Sequence, residues 1–138
     1  MQIYYTAVAT ATGDGRNGHV RSSDGLIDTD VRSPKEVGGA GGATNPEQLF
    51  AAGYSACFLN ALRRVAKRAS ANVDDAEVTA EVGLGNAGEG TFGLAVTLKI
   101  AMPNVDRAQA EELVAIAHRV CPYSNATRGN IDVVLEVV

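Results

Sequence analysis

An α+β fold is predicted from three features of the 138-residue sequence. The opening stretch from Gln2 to Thr12 is rich in threonine, tyrosine and valine, and glycine turns punctuate the first third. A long apolar helical stretch follows, and the second half combines a further hairpin with an amphipathic helix and a closing strand. With 46% apolar residues the chain can bury one core, and it is too short for two ordinary domains. Residues 1–138 are therefore expected to form a single domain.

The segment from Gln2 to Thr12 predicts a strand running into the Gly13-Asp14-Gly15-Arg16-Asn17-Gly18 turn. Val20 to Ser22 and Leu26 to Val31 flank a second turn signal, Ser23-Asp24-Gly25, so the first third predicts a small antiparallel meander. The run from Val37 to Thr44 carries too many glycines for a strand or helix interior and predicts a loop that packs closely or moves. Asn45-Pro46-Glu47-Gln48 is a helix start, with Asn45 as N-cap, Pro46 in the first helical position and Gln48 placed to complete a capping box. The helix should run to about Ala69. From Leu49 to Leu62 it is apolar nearly all round, which requires protein on every side. A chain this short would struggle to enclose it alone, so a homodimer sharing these helices is expected. Glu77 to Gly85 and Thr91 to Ala101 predict a second hairpin. Asp106 to Val120 predicts an amphipathic helix with Leu113, Ile116, Ala117 and Val120 along its apolar stripe. Pro122 ends that helix, and Ile131 to Val138 closes the chain as a strand.

Charge excludes some partners. The net charge is −4 and no block of lysine or arginine occurs, so neither nucleic acid nor an anionic membrane is an expected partner. No signal-peptide pattern opens the chain, and no apolar run approaches the roughly 20 residues that span a bilayer, so a cytoplasmic location is expected.

The two cysteines, Cys57 and Cys121, lie far apart without an export signal, which disfavours a structural disulfide scaffold and makes redox chemistry an option. With His19 and His118 they form none of the paired spacings of a zinc site. Cys57 lies in the most buried-looking helix, where a plain core thiol is the bland alternative. Cys121 ends a helix before Pro122-Tyr123-Ser124-Asn125, a segment that must turn and could carry a mobile thiol. An apolar setting raises a thiol's pKa, so a reactive Cys57 needs a cation. Arg16 is the best candidate and Glu47 the natural carboxylate to orient it. Glu47 and Cys57 are ten positions apart, about 15 Å along one straight helix and roughly 80° around it. Either the helix is interrupted near Gly53, or Arg16 and Glu47 reach Cys57 from a partner subunit. His118 is expected to be structural, a charged helix-end histidine, and His19 to be exposed.

Several blocks carry a family resemblance. They are Tyr5-Thr6-Ala7 with Ala9-Thr10-Ala11-Thr12-Gly13, then Gly38-Gly39, the run from Asn45 to Phe58, and the run from Ala117 to Val133 that contains Cys121-Pro122-Tyr123-Ser124. Together they resemble the organic hydroperoxide resistance branch of the OsmC superfamily. The resemblance implies antiparallel β-sheets wrapped around central long helices in an intertwined homodimer with two sites at its interface. It also implies Cys57 as the peroxidatic cysteine, Cys121 as the resolving cysteine, and an Arg16–Glu47 pair activating the thiolate. No metal or haem is implied, and the reductant would be dihydrolipoyl groups on lipoylated proteins. The family turn usually reads Thr-Gly-Gly-Arg. Here Gly13-Asp14-Gly15-Arg16 is one residue longer, which leaves Arg21 and Arg128 as substitutes for Arg16. An organic hydroperoxide would be reduced through a Cys57 sulfenic acid and a Cys57–Cys121 disulfide. Phe50, Phe58, Leu49 and Tyr123 are available to bury its alkyl tail. The alternatives are a thiol redox sensor or ligand-binding module without efficient turnover, and a broader peroxidase that accepts hydrogen peroxide nearly as well.

Overall fold

Gly13 and Gly18 close the first hairpin, and the contact they make leaves no room for a side chain. A Cβ on Gly18 would lie 2.0 Å from the Thr12 carbonyl oxygen. The hairpin pairs β1 (Ala9–Gly13) with β2 (Gly18–Ser22), and β3 (Asp28–Val31) adds antiparallel to β2, with Val20 opposite both Ala11 and Thr29. This is the predicted meander, with two corrections. The strand expected from Gln2 begins only at Ala9, because Ala9 already pairs with Ser22, where the partner strand stops. The strand expected from Leu26 begins at Asp28, because Asp24 accepts hydrogen bonds from the Ser22 hydroxyl and the Leu26 amide and holds the intervening residues in a turn.

The computed structural model describes residues 1–138, and the chain divides into two compact units, Met1–Leu49 and Phe50–Val138. In the first unit a short 3-10 turn, Lys35–Val37, leads into the glycine loop, which packs closely. A Cβ on Gly39 would meet the Ser33 carbonyl oxygen at 2.1 Å. Helix α1 (Pro46–Arg68) starts as predicted, with Asn45 Oδ1 accepting from the Gln48 amide at 2.8 Å. The capping box is not completed. Gln48 Oε1 accepts instead from the Thr44 hydroxyl at 3.0 Å.

In the second unit β4 (Glu77–Gly88) and β5 (Thr91–Ala101) form a long hairpin closed by Glu89 and Gly90, both at positive φ. Helix α2 (Arg107–Val120) is capped by Asp106, whose side chain accepts from the Gln109 amide. Its buried stripe is Ala110, Leu113, Val114 and Ala117. Val120, expected inside, is 49% exposed, because the last turn of α2 presents Ala117 and the following Cys121 to the core. Pro122 does end α2, but the segment after Cys121 is a second short helix, α3 (Pro122–Thr127), with proline in the position where its missing N–H costs nothing. The closing strand β6 (Val133–Val137) pairs parallel to β5, against the expectation of purely antiparallel sheets. The helices between β5 and β6 carry the chain back to the starting end of β5, as a parallel crossover requires.

Alternation along β5 turns Val96, Leu98 and Ile100 to the core, where they join Tyr54, Phe58 and Leu62 of α1 and Leu113, Val114 and Ala117 of α2. Each large aliphatic or aromatic side chain fully buried there contributes about 1.5–3 kcal/mol. No helix is long and apolar enough to cross a membrane.

Candidate active site

Cys57 lies at the middle of α1, one turn after Gly53 and three residues after the fully buried Tyr54. Its thiol is half-buried, and Cys121 Sγ lies 3.7 Å from Cys57 Sγ. Both thiols are free. Closure to a disulfide bond of about 2.05 Å therefore needs a relative shift of under about 2 Å. Cys121 is fully buried, capping α2 and starting α3 at once. This corrects the expectation of a resolving thiol on a loose turn. The sequence Cys-Pro was legible as a helix end, but the helical hydrogen bond from the Asn125 amide to the Cys121 carbonyl was not.

Burial pushes the Cys57 thiol above its ordinary pKa, and the neighbouring Cys121 adds to that rise. The backbone N–H of Tyr123 nearby opposes it. Tyr123 stands in the first turn of α3, where amides have no partner within the helix and carry the positive end of its dipole. This donor was missed at the sequence level. Its signal was Pro122 at the first helical position, read there only as the end of α2.

In the first unit Arg16 makes a two-pronged contact with Glu47, the carboxylate expected to orient it. Its two terminal nitrogens donate to the two oxygens of Glu47 at 2.9 and 2.6 Å. Glu47 holds the Arg16 pKa up, and Arg16 holds the Glu47 carboxyl below its ordinary value. The Glu47 side chain is only 12% exposed. The longer turn is accommodated by Gly13 and Gly15, both at positive φ. The two substitutes are engaged elsewhere, Arg21 with Asp28, and Arg128 with Asn125 and the His118 carbonyl. Helix α1 runs unbroken through Gly53, so the interrupted-helix alternative is excluded.

A family model described as OsmC-like protein matches residues 39–136. The chain is 52% identical to an organic hydroperoxide resistance protein of Xanthomonas axonopodis pv. citri, over 97% of this chain and 94% of that one. It is 49% identical to the organic hydroperoxide resistance protein OhrB of Bacillus subtilis, over 96% and 97%. The crystal structure of an organic hydroperoxide resistance protein from Legionella pneumophila superposes with a TM-score of 0.93 at 52% identity, covering 99% of this chain and 98% of that one.

The chain belongs to the OsmC family.

Within this OsmC-family chain the four residues expected to line an alkyl pocket divide evenly. Phe50 and Tyr123 line a cavity of about 670 Å³, together with Phe92, Leu94, Thr127 and Ile131. Phe58 does not. It is fully buried in the core, because its position on α1 faces the sheet. Leu49 is half-buried at the end of the first unit and is not part of the cavity wall. Phe92, near the start of β5, and Ile131, in the bend before β6, were missed because neither position gives a sequence sign of lining a cavity. The Tyr123 ring lies over Gly53, where a Cβ would fall 2.7 Å from the Tyr123 hydroxyl, so Gly53 gives the ring its seat.

The two histidines sit in opposite electrostatic settings. His118 is half-buried, and its Nδ1 lies 2.9 Å from the Ser124 hydroxyl. Burial, and then Arg128, lower its pKa, which works against the charged helix-end histidine expected. His19, expected to be exposed, is partly so, with its side chain 41% exposed. It lies between Asp30 and Asp28, which both raise its pKa.

Proposed function

We propose that this protein is a cysteine-based organic hydroperoxide reductase, with Cys57 as the attacking thiolate and Cys121 as the resolving thiol. The observation that carries the reading is the pair of free thiols 3.7 Å apart, only one of them reachable, in a chain about half identical to organic hydroperoxide resistance proteins. The Cys57 thiolate attacks the terminal peroxide oxygen. An S–O bond forms, the O–O bond breaks, and the alkoxide takes a proton and leaves as the alcohol. The sulfenic acid then condenses with the Cys121 thiol, expelling water and forming the disulfide before a second peroxide can carry the sulfur to the irreversible sulfinic level. An external dithiol of the dihydrolipoyl type restores both thiols by exchange and becomes the cyclic disulfide.

Burial works against the thiolate, so a cation is required beyond the single Tyr123 amide. The Arg16 guanidinium is the proposed source. It is oriented by Glu47 and is brought by a second copy of the chain in a homodimer. Arg16 would also stabilise the charge that passes to the leaving oxygen. The apolar walls at Phe50, Tyr123 and Phe92 suit an alkyl tail. Each methylene buried there contributes about 0.8 kcal/mol, so a tail of a few carbons favours organic substrates over hydrogen peroxide by orders of magnitude.

A second reading of the same thiol pair is a redox sensor whose disulfide forms once and is not recycled. Steady-state peroxide consumption with dihydrolipoamide separates the two. Turnover that prefers cumene hydroperoxide to hydrogen peroxide and is absent from Cys57→Ser supports the reductase. A disulfide that forms once and is not reopened supports the sensor.

A further inference from the structure

The second unit contains a buried chain of polar side chains that the proposed reaction does not use. The Tyr54 hydroxyl lies 2.9 Å from the Ser124 hydroxyl and 3.2 Å from that of Thr127, and Ser124 Oγ lies 2.9 Å from His118 Nδ1. Tyr54, Ser124 and Thr127 are all buried. Thr127 also donates to the Ser124 carbonyl, so every member of the chain has a partner. Arg128 closes the set by donating to the His118 carbonyl at 2.6 Å.

The elements that this chain of bonds joins are those that carry the thiols. Tyr54 stands on α1 three residues before Cys57, His118 stands on α2 three residues before Cys121, and Ser124 and Thr127 stand on α3. A helix of six residues has little stability of its own, so its position is set by what it is bonded to. A purely structural need could be met by apolar packing. The hydroxyl chain adds directionality, because it fixes the rotation of α3 and hence where the Tyr123 N–H points.

We propose that Tyr54, Ser124 and His118 are positioning residues for Cys57: they lock α3 so that the Tyr123 backbone stays beside the Cys57 thiol and Cys121 Sγ stays within closing distance. This rests on the thiol-peroxidase reading for its purpose, but its geometry can be tested without peroxide.

The experiment is the pH profile of Cys57 alkylation by iodoacetamide in the reduced full-length protein. The modified peptide is quantified by mass, and the thermal midpoint of each variant is measured alongside. Tyr54→Phe and Ser124→Ala should move the profile to higher pH and slow modification at pH 7 by about threefold or more, the effect of half a pKa unit. Ser124→Thr, which keeps the hydroxyl, should restore the profile. If Tyr54→Phe does not fold, His118→Ala, at a half-exposed position, should show the same direction. A profile unchanged in the folded variants overturns the proposal. So does a lowered thermal midpoint with an unchanged profile, since that is a structural role alone. Single-turnover oxidation of the parent protein by cumene hydroperoxide is run in parallel. If the parent thiol does not react, the peroxidase reading fails, and the alkylation profile still decides the positioning role.

Discussion

Cys57 and Cys121 differ in accessibility, and that difference sets what each can do. The half-buried thiol can meet a substrate, and the fully buried one can meet only its neighbour. Under the proposed mechanism Cys57→Ser abolishes peroxide turnover. Cys121→Ser should give one turnover and then sulfinic or sulfonic acid at Cys57, read by intact mass. Glu47 provides a pH test at the same scale. Its pKa is depressed by Arg16, so the stability it contributes is fully present above its unfolded value of about 4.3 and is lost as pH falls through the folded value. Glu47→Gln should therefore flatten the acid limb of the first unit's stability curve below about pH 4.3, measured by amide exchange. The nearness of the two cysteines and the Arg16–Glu47 contact were foreseeable from the sequence, the former because there are only two thiols and the latter through the family resemblance rather than residue type. The Tyr123 amide and the Ser124 hydroxyl were not, since a backbone donor carries no side-chain signature and a serine's burial depends on packing.

Elements follow local rules closely wherever turn chemistry is strong. The Asn45 cap, Pro46, the Asp106 cap and Pro122 set the helix ends within a residue or two of expectation. Strand ends were less legible, because a strand lasts only as long as its partner does, and before Ala9 the pairing is reduced to the Val8 carbonyl accepting from the Ser23 amide. The first sheet also carries a pH signature. His19 on β2 is held between Asp30 and Asp28 of β3, so its raised pKa stabilises the pairing fully below about pH 6.5, with the contribution lost as pH rises through the folded value. His19→Gln should remove that dependence from the amide exchange of β2 and β3. Close backbone contacts give a sharper outcome. Gly18→Ala and Gly39→Ala each place a methyl about 2 Å from a carbonyl oxygen and should destabilise the first unit by more than about 1 kcal/mol in urea titrations.

At the scale of the whole molecule, the α+β class was legible from the alternation of hairpin and helix patterns, and the parallel placement of β6 was not. Parallel pairing depends on the path of α2 and α3, which no local pattern encodes. The homodimer was inferred from the apolar circumference of α1. Its residues Ala52, Ala56 and Asn60 form an exposed stripe of helical spacing opposite the buried Tyr54, Phe58 and Leu62. Sedimentation equilibrium should report twice the 14.3 kDa chain mass at micromolar concentration. A monomer that still turns over organic hydroperoxide would remove the proposed role of a second copy. The central claim is that Cys57 and Cys121 act as one redox pair on organic hydroperoxides. Its most direct test is to mix reduced protein with one equivalent of cumene hydroperoxide, or separately hydrogen peroxide, map the thiols by mass, and then add dihydrolipoamide. A Cys57–Cys121 disulfide that forms faster with the organic peroxide and is reopened by the dithiol is the predicted result. Slow oxidation indifferent to the peroxide, or a disulfide that the dithiol leaves closed, would contradict it.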